Sequence, residues 1–239
     1  MISAFFMPFR GLGLLSHSGL RRYVLIPLLI NIIIFSLTAW LAVSNFEKFL
    51  IWALPPDSWL QNLEWILWPL FALAYLVLTF YSFTMIANLI ASPFNGILAG
   101  RIEQIITGKL PQHTDESVLA ATLPAIRDEL RKILYFLLRA IPLLILMLIP
   151  GLNAVASILW LLLGFWFLTL EYADYPMGNH GHRLTQQRAL MRKYPFRSWS
   201  FGAGATLLMM IPVVNFAAMP ASVAGATLFW LDRERGGAQ

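Results

Sequence analysis

Hydrophobic positions in this chain fall in long unbroken blocks, not in the spaced pattern of a water-soluble fold. Four stretches contain no Asp, Glu, Lys or Arg: 23–46, 65–100, 140–170 and 198–231. Together they make up more than half of the 239 residues. The first has 24 residues and as a helix would reach about 36 Å, against a hydrocarbon core of about 30 Å. It predicts a transmembrane helix over 23–49. The second is too long for one crossing. It predicts a span from Trp65 to near Ser92 that continues past Pro93 as an amphipathic extension, giving an element over 65–108. In that extension Arg101 and Glu103 are expected to face out and Ile102, Ile105 and Ile106 in. Gly108 is placed as the helix C-cap.

The third and fourth stretches are each interrupted near the middle by a similar pentapeptide. Ile149-Pro150-Gly151-Leu152-Asn153 breaks one and Ile211-Pro212-Val213-Val214-Asn215 the other. Proline blocks continuation of a helix, and asparagine favours turns and caps. Only ten uncharged residues precede Pro150, about 15 Å of helix and half a bilayer. The pattern predicts two helical hairpins that enter the membrane, turn near its midplane and return to the same side. An amphipathic helix leads into each, giving 124–170 and 183–231. In 124–139 the apolar face is Ile126, Leu130, Ile133, Leu134, Leu137 and Leu138, and the polar face is Arg127, Asp128, Glu129, Arg131 and Lys132. The whole is read as one membrane domain, 1–239, with residues 1–22 as an interfacial N-terminal segment.

The distribution of charge agrees with hairpins. Basic residues concentrate in 10–22, 101–139 and 183–197, while the loop after the first span is acidic. All three basic segments share one side only if both later stretches are hairpins, as the positive-inside rule prefers. Composition points the same way: 59% hydrophobic, 12% charged, mean hydropathy +0.69, against about 25% charged in a soluble domain. A soluble enzyme, a disordered chain and a nucleic-acid-binding module are excluded. With no cysteine, so are disulfides, thiolate metal sites and thiol catalysis.

Candidate chemistry is sparse. Ser16-His17-Ser18-Gly19-Leu20-Arg21-Arg22 opens the first long helix. With Ser18 as the cap, the N–H groups of Gly19, Leu20 and Arg21 would lie free at the positive end of the helix dipole. Two guanidinium groups add planar donors suited to an oxyanion. An anion site and a pair of arginines resting on lipid phosphates are both consistent with this spacing. Asp174, His180 and His182 lack a fourth ligand at a metal-motif spacing, and no serine nucleophile motif or Walker A pattern is present. No metal, cofactor or catalytic residue is assigned. Asn31, Asn88, Asn95, Asn153 and Asn215 lie in or beside apolar stretches and are expected to form interhelical hydrogen bonds.

Several segments, in order along nearly the whole chain, resemble the CysZ-type bacterial sulfate permeases. They are Gly19-Leu20-Arg21-Arg22-Tyr23 followed by Leu25-Ile26-Pro27-Leu28-Leu29-Ile30-Asn31, then Ser92-Pro93-Phe94-Asn95-Gly96 and Ile149-Pro150-Gly151. Asp174-Tyr175-Pro176 with Asn179-His180, and Met210-Ile211-Pro212, complete the set. The resemblance implies an all-α integral membrane protein with two long transmembrane helices, two hemi-penetrating hairpins and amphipathic interfacial helices. It implies a multi-pass, non-enzymatic permease of the bacterial inner membrane, channel-like and homo-oligomeric, importing sulfate for assimilatory cysteine synthesis. The family's sulfate-binding motif falls on Gly19, Leu20 and Arg21, with Arg22 adjoining. Sulfate and membrane lipids are the expected partners. The competing readings are a non-transporting scaffold that binds anionic lipid through Arg21 and Arg22, and a membrane enzyme using Asp174 and His180.

Overall fold

A computed structural model describes residues 2–53, 64–111 and 118–236. Among the described residues there are nine helices and no strand: α1 Ile2–Phe5, α2 Met7–Leu14, α3 Ser18–Ala53, α4 Glu64–Thr107, α5 Val118–Met147, α6 Asn153–Asn179, α7 Leu184–Lys193, α8 Pro195–Met210 and α9 Pro212–Gly236. Of these, α3, α6 and α9 are long and apolar enough to cross a membrane. The protein is an all-α membrane protein.

The chain divides into two compact units, one of Met1–Val24 with Asn95–Gln239, the other of Leu25–Phe94. The second unit holds α3 from Leu25 to its C-terminal end and most of α4. Its contacts are aromatic, with Phe35 against Phe83 at 4.9 Å and Phe49 against Tyr75 at 5.0 Å between ring centroids. Most of its remaining large apolar side chains, such as Leu29, Ile33, Leu73 and Leu76, are exposed. The most apolar 18-residue window of 18–46 is only 6% buried at a mean hydropathy of 2.4. A helix that is greasy on every side takes lipid as its solvent.

The first unit carries the hairpins. α5 packs on α6, α8 on α9, and α6 against both α8 and α9; α2 lies along α9 and α1 on α8. Close approach depends on small residues. A Cβ placed on Gly202 of α8 would lie 1.9 Å from the Phe165 carbonyl oxygen of α6, inside any tolerable contact. Lipid tails are as apolar as leucine, so contacts of this intimacy are what hold helices together in a bilayer.

Both helix breaks stand at the two pentapeptides. In the first, α5 stops at Met147, Gly151 takes φ +87°, and the Asn153 side chain accepts the Ala154 N–H at 2.8 Å. That left-handed φ favours glycine. The second break is tighter. Only Ile211 separates α8 from α9, in an extended conformation, and Pro212 takes the first helical position, where its missing N–H is no loss. Asn215 therefore lies inside the first turn of α9, not at the break.

The structure corrects the expected facing of the α4 extension and shows where the α5 stripe and the asparagines lie. In the α4 extension Ile102 is buried as expected, but so is Glu103, while Ile105 is exposed. In α5 the apolar residues Leu130, Ile133, Leu134, Leu137 and Leu138 are all exposed, and Lys132 from the opposite face is buried. The side chains of Ile126 and Asn88 lie outside the described residues. The physical reason is the solvent: where lipid surrounds a helix, its apolar face turns outward and its polar side chains find partners within the protein. The bridge between helices is made by Asn179, whose Nδ2 donates to the Gly96 carbonyl at 2.9 Å. The buried Asn31 Oδ1 and Asn95 Nδ2 atoms have no hydrogen-bond partner.

Candidate anion site and a buried charge cluster

The N-terminus of α3 begins in a tight turn. Ser16 and His17 donate their N–H groups to the Gly13 and Leu14 carbonyls, and the Ser16 hydroxyl also donates to Gly13. The helix starts at Ser18, one residue earlier than a Ser18 cap would place it. The His17 carbonyl accepts both the Leu20 N–H at 3.0 Å and the Arg21 N–H at 3.3 Å. Of the three donors expected to be free, only Gly19 keeps its N–H outside the backbone hydrogen bonds of the described residues, joined by Ser18 before it.

The four residues singled out in sequence play different parts. Leu20 is 1% exposed and packs with Leu15, Leu98, Ile102 and Leu208, so it anchors the turn in the core. Gly19 is exposed, and a Cβ built on it would meet nothing within 4 Å, so the backbone there lies open to approach. Arg21 is exposed and fixed through its Nε, which donates to the Ser16 carbonyl at 2.8 Å; its two terminal nitrogens point beyond that bond. Arg22 donates one Nη to the Tyr23 hydroxyl at 3.0 Å. Neither arginine pairs with a carboxylate among the described residues, whose ion pairs all lie elsewhere. The arrangement offers backbone N–H and guanidinium donors without a paired carboxylate among the described residues, at the positive end of a 36-residue helix.

A second polar centre lay hidden in the sequence. Lys132 of α5, with 10% of its side chain exposed, reaches Asp174 at 2.9 Å, Glu171 at 3.2 Å and Glu129 at 3.1 Å. Gln187, 2% exposed, donates to Asp174 at 2.6 Å and to the His182 carbonyl at 2.8 Å. Burial alone would push the Lys132 ammonium towards neutrality, but Asp174 and Glu171 outweigh it and hold its pKa above the ordinary lysine range. Nearby, His180 Nε2 lies 2.9 and 3.0 Å from the two oxygens of the buried Glu103. His182 packs edge-on against Trp230 at 5.2 Å, and the His180 ring meets the same indole at 5.6 Å. Asp174, His180 and His182 are thus neighbours, but among the described residues their side chains form no group that could hold a metal ion. The only sequence sign of this centre was an acid–acid spacing at Glu171 and Asp174 on one helix face.

The sequence pattern of the sulfate transporter CysZ/etoposide-induced protein 2.4 family matches residues 7–220. The chain belongs to this family. A protein named sulfate transporter CysZ from Pseudomonas paraeruginosa is 43% identical over 228 residues, covering 94% of this chain and 92% of that one. One of the same name from Pseudomonas fluorescens is 44% identical, covering 95% and 91%. Another from Pectobacterium atrosepticum is 38% identical, covering 95% and 84%. The match to the CysZ/etoposide-induced family takes in the α3 N-terminus, both helix breaks and the whole Lys132 cluster. Asp232 and Arg233 lie beyond it.

Proposed function

We propose that this protein is a sulfate permease of the bacterial inner membrane, a transporter and not an enzyme, feeding sulfate to assimilatory cysteine synthesis. The observation that carries the reading is near full-length similarity, about two residues in five, to proteins named sulfate transporter CysZ. The α3 N-terminus supports it with a surface that presents donors and no acid. Sulfate is received there by the Ser18 and Gly19 N–H groups and the terminal nitrogens of Arg21 and Arg22, with Leu20 holding the turn. Passage is channel-like. One chain of this size is too small to enclose a pore by itself and works as a homo-oligomer, and both hairpins enter and leave on the side of the basic segments.

The chemistry of the site sets its selectivity. Sulfate at neutral pH offers only acceptors, whereas hydrogen phosphate carries a proton that needs one. Neither arginine pairs with a carboxylate among the described residues, so that proton has only a hydroxyl or water to meet. The site is exposed, so water offsets part of the roughly 1–3 kcal/mol that an unpaired buried group costs, and sulfate should be preferred by about fivefold or less. Arg21→Ala removes a charge-assisted contact and should weaken sulfate binding by about 1.5–3 kcal/mol. Arg21→Lys keeps charge but loses the planar fork and should fall between. Equilibrium binding of labelled sulfate with phosphate as competitor tests this. Equal competition by phosphate, or undiminished binding in Arg21→Ala, would leave the two arginines as lipid anchors of a scaffold.

A further inference from the structure

An open groove of about 510 Å³ runs between α5 and α6, within the span of about 300–1,000 Å³ that ligand sites occupy. Its walls are apolar, with Leu138 and Leu143 of α5 facing Leu159 and Leu162 of α6, and Trp166 and Trp199 closing one end. Arg139 also lines it. Arg139 is the last charged residue before the uncharged stretch 140–170, which puts it where hydrocarbon gives way to headgroups.

Arg139 does not stand alone. Its Cζ lies 3.7 Å from the centroid of the Tyr135 ring, and the Cζ of Arg188 lies 3.7 Å from the same centroid. The two cations are therefore no more than twice that distance apart. The ring face attracts both, but neither pairs with a carboxylate among the described residues. Arg139 donates one Nη to the Tyr135 carbonyl at 3.0 Å, while the buried Arg188 Nε has no acceptor. A further observation points to a ligand: Trp166 is 8% exposed, lines the groove, and its indole N–H has no acceptor either. Tryptophan is at home at the interface because an acceptor there meets its N–H.

We infer that this groove binds an anionic phospholipid, the acyl chain lying along the leucines and the phosphate held by Arg139 and Arg188. A second copy of the chain fits less well. The acids that flank the uncharged stretches on this side, Glu103, Glu171 and Asp232, already pair within the chain with His180, Lys132 and Arg197, which leaves none to meet the two arginines. A lipid phosphate supplies the missing acceptors, and guanidinium grips phosphate through paired hydrogen bonds. The inference rests on the protein lying in a membrane, and not on the α3 N-terminus or on sulfate.

The test is native mass spectrometry of the full chain in detergent, with phosphatidylglycerol, phosphatidylcholine or inorganic phosphate added. One phosphatidylglycerol should stay bound per chain, at least about tenfold tighter than phosphatidylcholine, as expected for two arginines meeting a net negative headgroup. Inorganic phosphate should not displace it. Arg139→Ala with Arg188→Ala should abolish the preference. Leu159→Trp, which fills the groove and leaves the arginines in place, should lose the lipid as well, so the inference stands or falls even if the double variant fails to fold. Arg21→Ala should keep the lipid, which separates this result from any failure of sulfate binding. Equal retention of the two lipids, displacement by phosphate, unchanged retention in the variants, or loss of an oligomer with the lipid count unchanged would each overturn it.

Discussion

Lys132 and Arg21 are both cations in a mostly uncharged chain, yet they are held in opposite ways. Arg21 is exposed and has no acid partner; Lys132 is buried among three acids. Replacing Lys132 by methionine leaves Glu129, Glu171 and Asp174 facing each other without a cation. Those carboxylates are 40–57% exposed, so water offsets part of the repulsion, and the expected loss of stability is about 1–3 kcal/mol. It should read as a lower unfolding midpoint in detergent. In the unsubstituted protein the raised Lys132 pKa fixes the sign of the pH dependence. The stabilisation is complete below the ordinary lysine pKa of about 10.4 and lost only as pH rises through the higher folded value. The midpoint of the unsubstituted protein should owe no change to Lys132 across neutral pH. At this scale the sequence marked residues 19–22 as a candidate anion site but not which backbone N–H groups the turn leaves open. The opening turn of α3 closes two N–H groups onto the His17 carbonyl, a detail of backbone geometry that residue types do not encode.

Helices and their ends were legible because proline and glycine act locally. Pro150 with Gly151, and Pro212, remove donors or demand a backbone angle wherever they stand, so both breaks could be read without knowing the partners. Helix faces were not legible. The 3.6-residue period of α5 gives the apolar stripe correctly, but periodicity alone does not say whether the stripe meets a core or a bilayer. Glu103 was misplaced for that reason, and the burial of Lys132 was not foreseen. Close packing was equally invisible, since nothing in the sequence marks Gly202 as touching the Phe165 backbone. Gly202→Ala should force α6 and α8 apart and lower stability by about 1–3 kcal/mol, read as a lower unfolding midpoint in detergent. Gly19→Ala, where a Cβ meets open space, should leave that midpoint unchanged.

Among the described residues the molecule is a set of apolar helices whose charged groups gather at the α3 start, around Lys132, at Tyr135 with Arg139 and Arg188, and in the pairs Glu103–His180 and Arg197–Asp232. Its topology can be checked with single cysteines at exposed positions, one per variant of this cysteine-free chain. Lys109 and Arg192 should label from one side of the membrane and Lys48 from the other. Labelling of Arg192 from the Lys48 side would make the first hairpin a full crossing. The central claim, that this chain by itself lets sulfate through a bilayer, is tested most directly by labelled-sulfate uptake into liposomes containing only the purified protein. Uptake should run down an imposed sulfate gradient without ATP and exceed that of empty liposomes. It should fall by about tenfold or more in Arg21→Ala at low sulfate, where flux follows site occupancy. Uptake no faster than in empty liposomes, from protein that inserts and stays folded, would contradict the claim.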